Sequence, residues 1–563
     1  MQKDSNHRKV LTQALAVCVL LFTMGPAYGT TPRPANILLL VAEDLSPRIG
    51  SYNDPHARTP NLDALAQRST RFTHAFTTAG VCAPSRAALV SGQHQISFGA
   101  QHMRSSTAPL GRYLAQPPKD LRALPELLRQ LGYYTYTDNK LDYQFSGIRA
   151  GSGPFTLWDH EGGVAEDWRK RRPNQPFFGL INFMHTHESG VMRPTGKPFS
   201  RSHAQSQGMR KALGLAAAPM TDPARIALPP YYPDLPEVRA DIARHYDNIH
   251  AMDKRVGEIL EALEEDGLAA STVIIWTTDH GDGLPRAKRE LFDSGIHVPM
   301  LMHRPGQTSA RVESRLVSFV DLAPTIYALA GATHKPDYWH GQNLLDSDQP
   351  KRRYVYASRD RIDEVNDRQR AVRDQRFKYI RSYRPDIPGG HALDYRDNLD
   401  MVRAWRAAYQ SGTLTAVQAA WFEPPGKDQL YDLDADPHEL NNLARDPAYA
   451  ATLARLSQQL DDFLLRVNDT SNLSEAQLRD TFLDNNALPK TPAPTVEWRD
   501  GRAHLASPIG ASIGYRLPSE QNWQLYVEPL QANSFEAKSV RYGWAESTAL
   551  NFSAPNISPL ENP

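Results

Sequence analysis

Three apolar stretches constrain this chain more than any other feature of it. They read NILLLVA at 36–42, PFFGLINFM at 176–184 and TVIIWTT at 272–278. None alternates polar with apolar residues, so neither face of such a segment is made for water. Runs of this kind suit strands buried on both faces of a largely parallel sheet. Each run ends in ionisable side chains: Glu43-Asp44 after the first, His185-Thr186-His187 after the second, Asp279-His280-Gly281-Asp282 after the third. Open α/β sheets bind ligands beyond the carboxyl ends of their strands. Two adjacent carboxylates there are costly unless something positive neutralises them. A hard cation with oxygen ligands, Ca2+ foremost, would do so; the plainer reading of Glu43-Asp44 is an N-cap pair opening a helix. The His-x-His pair suits zinc in principle, but no cysteine cluster or further histidine spacing supports that metal. Acidic strand ends far apart in sequence can converge on one edge of a parallel sheet.

The remaining patterns supply layers around such a sheet. Residues 124–128 read as a helix stopped by Gly132, and 133–137 as an aromatic, β-branched strand that delivers Asp138, Lys140 and Asp142. From Pro236, apolar residues from Ile242 to Leu263 recur at helical spacing until Gly267. Residues 192–228, rich in Pro, Ser, Ala and basic side chains, read as a long insertion over the sheet edge. Strands are expected at 373–379 and 429–433, a helix at 455–467, and a Pro-rich linker at 489–494. Beyond the linker, 511–517, 523–527 and 539–544 alternate like the strands of a small β-sandwich. The expected domains are therefore an α/β domain at 34–345, an α+β subdomain at 346–488 and a linker with a terminal module at 489–563.

The N-terminus reads as a secretory signal over residues 1–29. Lys3, Arg8 and Lys9 precede an apolar run at 10–24 and a small-residue cleavage site at 26–29. That run is short of the about 20 residues a membrane span needs, so a periplasmic or secreted protein without stable membrane association is expected. Lys and Arg (63) balance Asp and Glu (63), leaving no global basic field for nucleic acid. The chain has two cysteines. Cys18 falls in the signal, so the mature protein would carry Cys82 alone, with no disulfide partner. The bland account is a small buried residue.

The residues around Cys82 favour another account. Cys82-x-Pro84-Ser85-Arg86, continuing through Ala87, Leu89 and Gly92, closely resembles the signature of the formylglycine-dependent (type I) sulfatases. The order of an acidic strand end, a Thr59-Pro60-Asn61-Leu62-Asp63 helix and then this motif is also that family's order. The branch resembled contains N-sulfoglucosamine sulfohydrolase and bacterial polysaccharide sulfatases. The resemblance implies an alkaline phosphatase–sulfatase-like fold, a central mixed sheet flanked by helices, and hydrolysis of a sulfate ester or sulfamate on a sulfated oligo- or polysaccharide. It implies that a formylglycine-generating maturation enzyme oxidises Cys82 to 3-oxoalanine before folding. One hydroxyl of the hydrated aldehyde attacks sulfur and the other helps expel sulfate. Arg86, one helical turn on, would hold the diol and its metal surroundings. Ca2+ would lie on Glu43, Asp44, Asp279 and His280, against residue 82. Lys140, His187 and Lys288 would bind sulfate and protonate the leaving oxygen, with His185 a second candidate at its strand end and Arg289 an alternative to Lys288. Two positions depart from the family pattern: Glu43 stands where Asp is usual, and Asp142 where a His contacts the diol. His102 and Arg104 either reach the substrate or belong to a surface loop. Two other functions stay open: a phosphonate or phosphate ester hydrolase of the same superfamily, and a glycan-binding protein whose catalytic site has decayed.

Overall fold

The apolar runs form the middle of one nine-stranded sheet. The computed structural model describes residues 35–107, 111–194 and 196–555, and the expected export signal lies outside them. The strands are β1 (Asn36–Ala42), β2 (Thr70–Phe76), β3 (Tyr134–Thr137), β4 (His160–Glu161), β5 (Phe177–Phe183), β6 (Thr272–Thr278), β7 (His297–His303), β8 (Arg311–Glu313) and β9 (Val317–Ser318). Their order is β4-β3-β5-β1-β6-β7-β2-β8, with β9 also beside β2. β3, β5, β1 and β6 run parallel as neighbours, so their carboxyl ends share one edge. β7 is antiparallel to both β6 and β2, which makes the sheet mixed.

The continuous hydrophobicity of β1 has a direct structural cause. Ile37, Leu39 and Val41 pack into one apolar layer with Leu89 and Val90 of α2 (Cys82–Ser91) and Leu124 and Leu128 of α3 (Leu124–Gln130). Leu38, Leu40 and Ala42 pack into the opposite layer with Leu62 and Leu65 of α1 (Pro60–Ala66) and with Ile242, Ile249, Val256 and Ile259 of the long helix Pro236–Glu265. Successive side chains of a strand point to opposite faces, so a strand roofed on both sides needs apolar residues at every position. All seven residues of β1, of β5 and of β6 are buried.

The insertion at 192–228 differs from its reading as a loop: it contains a helix, α4 (Arg201–Ala212). Its sequence is strongly polar and buries only His203, Ser206 and Arg210, so no apolar period betrays it. Arg210 anchors it instead, donating to Met184 O (3.1 Å), His185 O (3.2 Å) and Asn248 Oδ1 (3.0 Å).

The C-terminal subdomain is a four-stranded antiparallel sheet, β10 (Val355–Arg359), β11 (Gln369–Arg373), β12 (Phe377–Ser382) and β13 (Asp428–Asp432), in that order. Leu456, Leu460 and Phe463 of the helix Ala450–Arg466 cover it. The single strand expected at 373–379 is divided between β11 and β12, because the chain turns there, with Asp374 N donating to Phe377 O. The terminal module consists of a hairpin, β14 (Thr495–Arg499) and β15 (Arg502–Ala506), and a four-stranded sheet of β16 (Ser512–Arg516), β17 (Gln524–Leu525), β18 (Ser534–Val540) and β19 (Leu550–Ser553). The hairpin and sheet share one small apolar cluster that includes Leu505, Ile513 and Phe535. The strand expected at 539–544 lies earlier, because Tyr542–Trp544 form a turn closed by Trp544 N on Arg541 O.

This module is fixed to the sheet domain by a buried acid. Glu126 of α3, with no exposed surface, accepts from Thr156 Oγ1 (2.8 Å), Ser512 Oγ and Tyr542 OH and pairs with Arg122 (3.2 Å). Removing one partner of such a buried polar cluster leaves the others desolvated and unpaired. Glu126→Ala is expected to cost about 3–5 kcal/mol, read as a shift of the urea midpoint and as earlier proteolytic cleavage near 489–494. A midpoint within error of the parent would show that the cluster does not hold the module.

Candidate active site

The ladder of the sheet carries on past the strand ends and gathers the ionisable residues. Glu43 N donates to Phe183 O (3.1 Å) and Asp279 N to Ala42 O (3.0 Å), so the exits of β5, β1 and β6 are tied together. Asp44 then adopts a left-handed backbone (φ 55°), uncommon and strained for a residue with a Cβ. Its amide donates to Asp279 Oδ1 (3.1 Å) and its Oδ2 accepts from Glu188 N (2.7 Å) and from Lys288 Nζ. Asp44 Oδ1 lies 3.0 Å from His280 Nε2.

Cys82 is the first residue of α2, every residue of which is buried. Its Sγ lies 3.3 Å from His280 Nε2 and 3.9 Å from Asp44 Oδ1. The side chain at 82, in whatever oxidation state, therefore meets both strand-end motifs. Arg86, one turn further, donates through Nε to Asp279 Oδ2 (3.1 Å) and through Nη1 to Asn182 Oδ1 (2.6 Å), and its Nη2 lies 3.8 Å from Glu43 Oε1. It is 2% exposed, and such a guanidinium is tolerated only because carboxylates face it.

Three further side chains complete the cluster. Lys140, in the hairpin after β3, donates to Glu43 Oε2 (2.8 Å). Lys288 reaches Asp44 from the loop after β6. His187 accepts at Nδ1 from Ser189 N (3.2 Å), which leaves its proton on Nε2, 4.0 Å from Glu43 Oε2. Burial and the Lys288 charge hold the His187 imidazolium well below its ordinary pKa. At neutral pH the residue is thus a neutral imidazole whose Nε2–H is available as a hydrogen-bond donor. Burial alone would raise the Asp44 carboxyl, but the Lys288 and His280 charges outweigh it and hold it well below the usual range.

The donor atoms suit a cation. Ligand atoms of Asp44, Cys82, Asp279 and His280 all lie within 4.8 Å of one another, as do those of Glu43, Asp44, Cys82 and His187. Glu43 Oε1 is buried without a hydrogen-bond partner. His280 Nδ1 donates to Gly281 O (2.9 Å), the arrangement that orients Nε2 as a ligand. Although burial opposes charge on His280, Asp279 and Asp44 push it up to about 10; a proton stands there where a cation could neutralise the same carboxylates. Asp44 and Asp279 with His280 and the side chain at 82 form one such group, which offers a hard divalent ion two carboxylates and one imidazole, and Glu43 belongs to the other, with His187.

A pocket of about 310 Å3 opens over this cluster, its lining including Glu43, Lys140, His187, Lys288, Arg104 and Tyr395. Of the residues singled out in the sequence, Glu43, Arg104, Lys140, His187, Lys288 and Arg289 line it, while Asp44, Cys82, Arg86, Asp279 and His280 lie buried behind that lining and His102 and His185 belong to neither group. His102 is buried, with Nδ1 accepting from Arg361 N (3.3 Å), so it belongs to neither a surface loop nor the pocket. His185 abuts the anchor of α4 through its carbonyl, and burial lowers its imidazole to about 4. Arg104 does line the pocket, held in a two-pronged pair by Asp142 (Nε–Oδ1 2.8 Å, Nη2–Oδ2 2.9 Å). Asp142 thus serves an arginine in place of contacting residue 82. In the run of charged residues at 359–364, Arg359, Asp360 and Arg361 are buried and Asp363 lines the pocket. Sequence reasoning missed Glu188, whose carboxylate grips Arg289 through both oxygens (2.7 and 3.0 Å). Its one signal was its place directly after His187. Nothing in the sequence pointed to Tyr395.

A family model described as Sulfatase matches residues 35–158 and 163–332, and one described as N-sulphoglucosamine sulphohydrolase, C-terminal, matches 286–398. The chain belongs to the sulfatase family. This sulfatase is 35% identical to an ulvan-active sulfatase of Formosa agariphila, over 93% of its own chain and 92% of the relative. It is 27% identical to human N-sulphoglucosamine sulphohydrolase, over 81% and 94% of the two chains. Among solved structures, a 2-O GAG sulfatase superposes with a TM-score of 0.55 at 21% identity, covering 78% of this chain and 94% of that one. A phosphonate monoester hydrolase from Silicibacter pomeroyi superposes at 0.50 and 20%, covering 77% and 96%. The fold is thus common to both kinds of esterase, whereas the sequence relatives make this chain a sulfuric ester hydrolase. Among the described residues no helix is long and apolar enough to cross a membrane.

Proposed function

We propose that this sulfatase removes sulfate from a sulfated carbohydrate after export, with residue 82 in the formylglycine form and Ca2+ on Asp44, Asp279, His280 and Glu43. The observation that carries the reading is the convergence of the Cys82 thiol, Asp44 and His280 within 3.9 Å, behind the pocket lining to which Lys288 ties Asp44. The hydrated aldehyde supplies an oxygen nucleophile with a second hydroxyl, which a plain serine lacks. A bound divalent cation supplies a Lewis acid that polarises a sulfate oxygen.

The chain's own residues do the rest. Lys140 and Lys288, now paired with Glu43 and Asp44, neutralise the incoming anion. Arg86 fixes the carboxylate of Asp279. His187, neutral and carrying its proton on Nε2, donates that N–H as a hydrogen bond to the departing oxygen and stabilises the negative charge growing there, a need that increases with the basicity of the leaving group. His187→Ala is accordingly expected to cost about 10²–10³-fold in kcat/KM on a sugar sulfate and far less on 4-nitrophenyl sulfate. Equal losses on both would remove His187 from the departing oxygen.

Sulfate release from a panel of ulvan, heparan sulfate and chondroitin sulfate fragments tests the function itself. The panel follows the relatives, an ulvan-active sulfatase, an N-sulphoglucosamine sulphohydrolase and a 2-O GAG sulfatase. The phosphonate esterase fold match supports one competing reading; turnover of an aryl phosphonate ester above that of the matching aryl sulfate would favour it. Unmodified Cys82 in protein from a maturation-competent host, with no turnover, would favour a glycan-binding protein.

A further inference from the structure

The pocket over Cys82 does not end at its mouth. Tyr395 and Asp363 line it and also line a second, open groove of about 900 Å3. One wall of that groove is the start of α4 with the preceding turn, and the other is the helix Asp400–Gln410 with the segment before it. The walls are stitched to each other. Ser200 Oγ donates to Asn398 Oδ1 (2.6 Å), Asn398 Nδ2 donates to Ser202 Oγ (2.8 Å), and Ser206 Oγ lies 3.2 Å from Tyr395 OH. The groove is therefore a preformed feature of the fold.

Its chemistry is that of a surface for sugar rings. Phe199 is 55% exposed on the groove wall, and the Arg403 guanidinium lies over its ring, 4.1 Å from the centroid. An exposed aromatic held by a cation presents flat apolar area at little cost in ordering. Around it stand hydroxyl, amide and charged groups, among them Ser202, Gln205 and Arg406. Ligand sites span about 300–1,000 Å3. The catalytic pocket is near the lower bound and the groove near the upper, so the two together accept a chain where the pocket alone accepts one ring.

We propose that this groove binds the sugar residues adjoining the sulfated one, making the enzyme selective for oligosaccharides over monosaccharides, with Phe199 as the stacking platform. The proposal rests on the reading of the site as a glycan sulfatase. The test sizes the best polysaccharide of the panel into di-, tetra- and hexasaccharides and compares the parent enzyme with Phe199→Ala. The parent kcat/KM should rise about tenfold from di- to hexasaccharide, and Phe199→Ala should remove most of that rise through KM. Activity on 4-nitrophenyl sulfate, which has no adjoining sugar, should stay within about twofold, since an exposed side chain contributes little to folding. Sulfate release with no dependence on length, or a Phe199→Ala loss equal on every substrate, would overturn the groove and leave the sulfatase reading standing. Failure to release sulfate from any glycan, with aryl sulfate still cleaved, would overturn the glycan reading itself.

Discussion

Cys82→Ala is expected to abolish sulfate release while leaving a folded protein. The substitution removes the side chain that meets Asp44 and His280 but disturbs neither the Arg86–Asp279 contact nor the strand-end ladder. Loss of a nucleophile at a site otherwise intact costs about 10⁴-fold or more, whereas trimming one buried sulfur costs about 1 kcal/mol of stability. Turnover of 4-nitrophenyl sulfate and a thermal melt separate the two effects. A variant that keeps activity within tenfold of the parent would remove residue 82 from the chemistry. Intact mass of the parent provides an independent check, since an aldehyde-bearing side chain is lighter than a thiol-bearing one.

The second large effect is expected at the acidic strand ends. Treatment with a chelator should remove activity and lower the melting temperature, and added Ca2+ should restore both. A ligand present at a hundred times its dissociation constant stabilises by about 2.7 kcal/mol, so the melting shift should track the free Ca2+ concentration. Asp44→Asn should weaken that dependence and lower kcat by about 10²–10³-fold. Asp44 accepts from Lys288 and Glu188 N and adjoins His280, so the variant also leaves a buried ammonium underpaired. Activity and melting both indifferent to chelation would show that the carboxylates are satisfied by Lys140, Lys288 and Arg86 alone.

How much of this was legible follows from the kind of contact involved. Runs such as LLLVA announce themselves because every position of a strand covered on both faces must be apolar. The acids that end them are conspicuous by contrast. Motifs at residues 43–44, 82–86 and 279–280, far apart in the chain, lie together because β1 and β6 are neighbours and α2 starts beside their ends. α4 was not legible, because its anchors are a buried arginine and backbone carbonyls, which leave no period in the sequence. The replacement of an expected histidine by Asp142 was visible, but its partner was not. Arg104 is 38 residues away, and the pair reads as two unrelated charges until the chain is folded. Tyr395 and Phe199 were silent for the same reason: their roles depend on the meeting of segments from opposite halves of the chain.

The complete burial of α2 imposes a schedule on the cell. Another protein that is to act on the sulfur of Cys82 must do so while the polypeptide is still extended, because afterwards the helix is sealed beneath the sheet and its covering loops. Supplying the oxidising partner to finished protein should accomplish nothing, whereas supplying it during synthesis should. If residue 82 is oxidised as proposed, the fraction of competent molecules in a preparation would be decided by a race between collapse and oxidation.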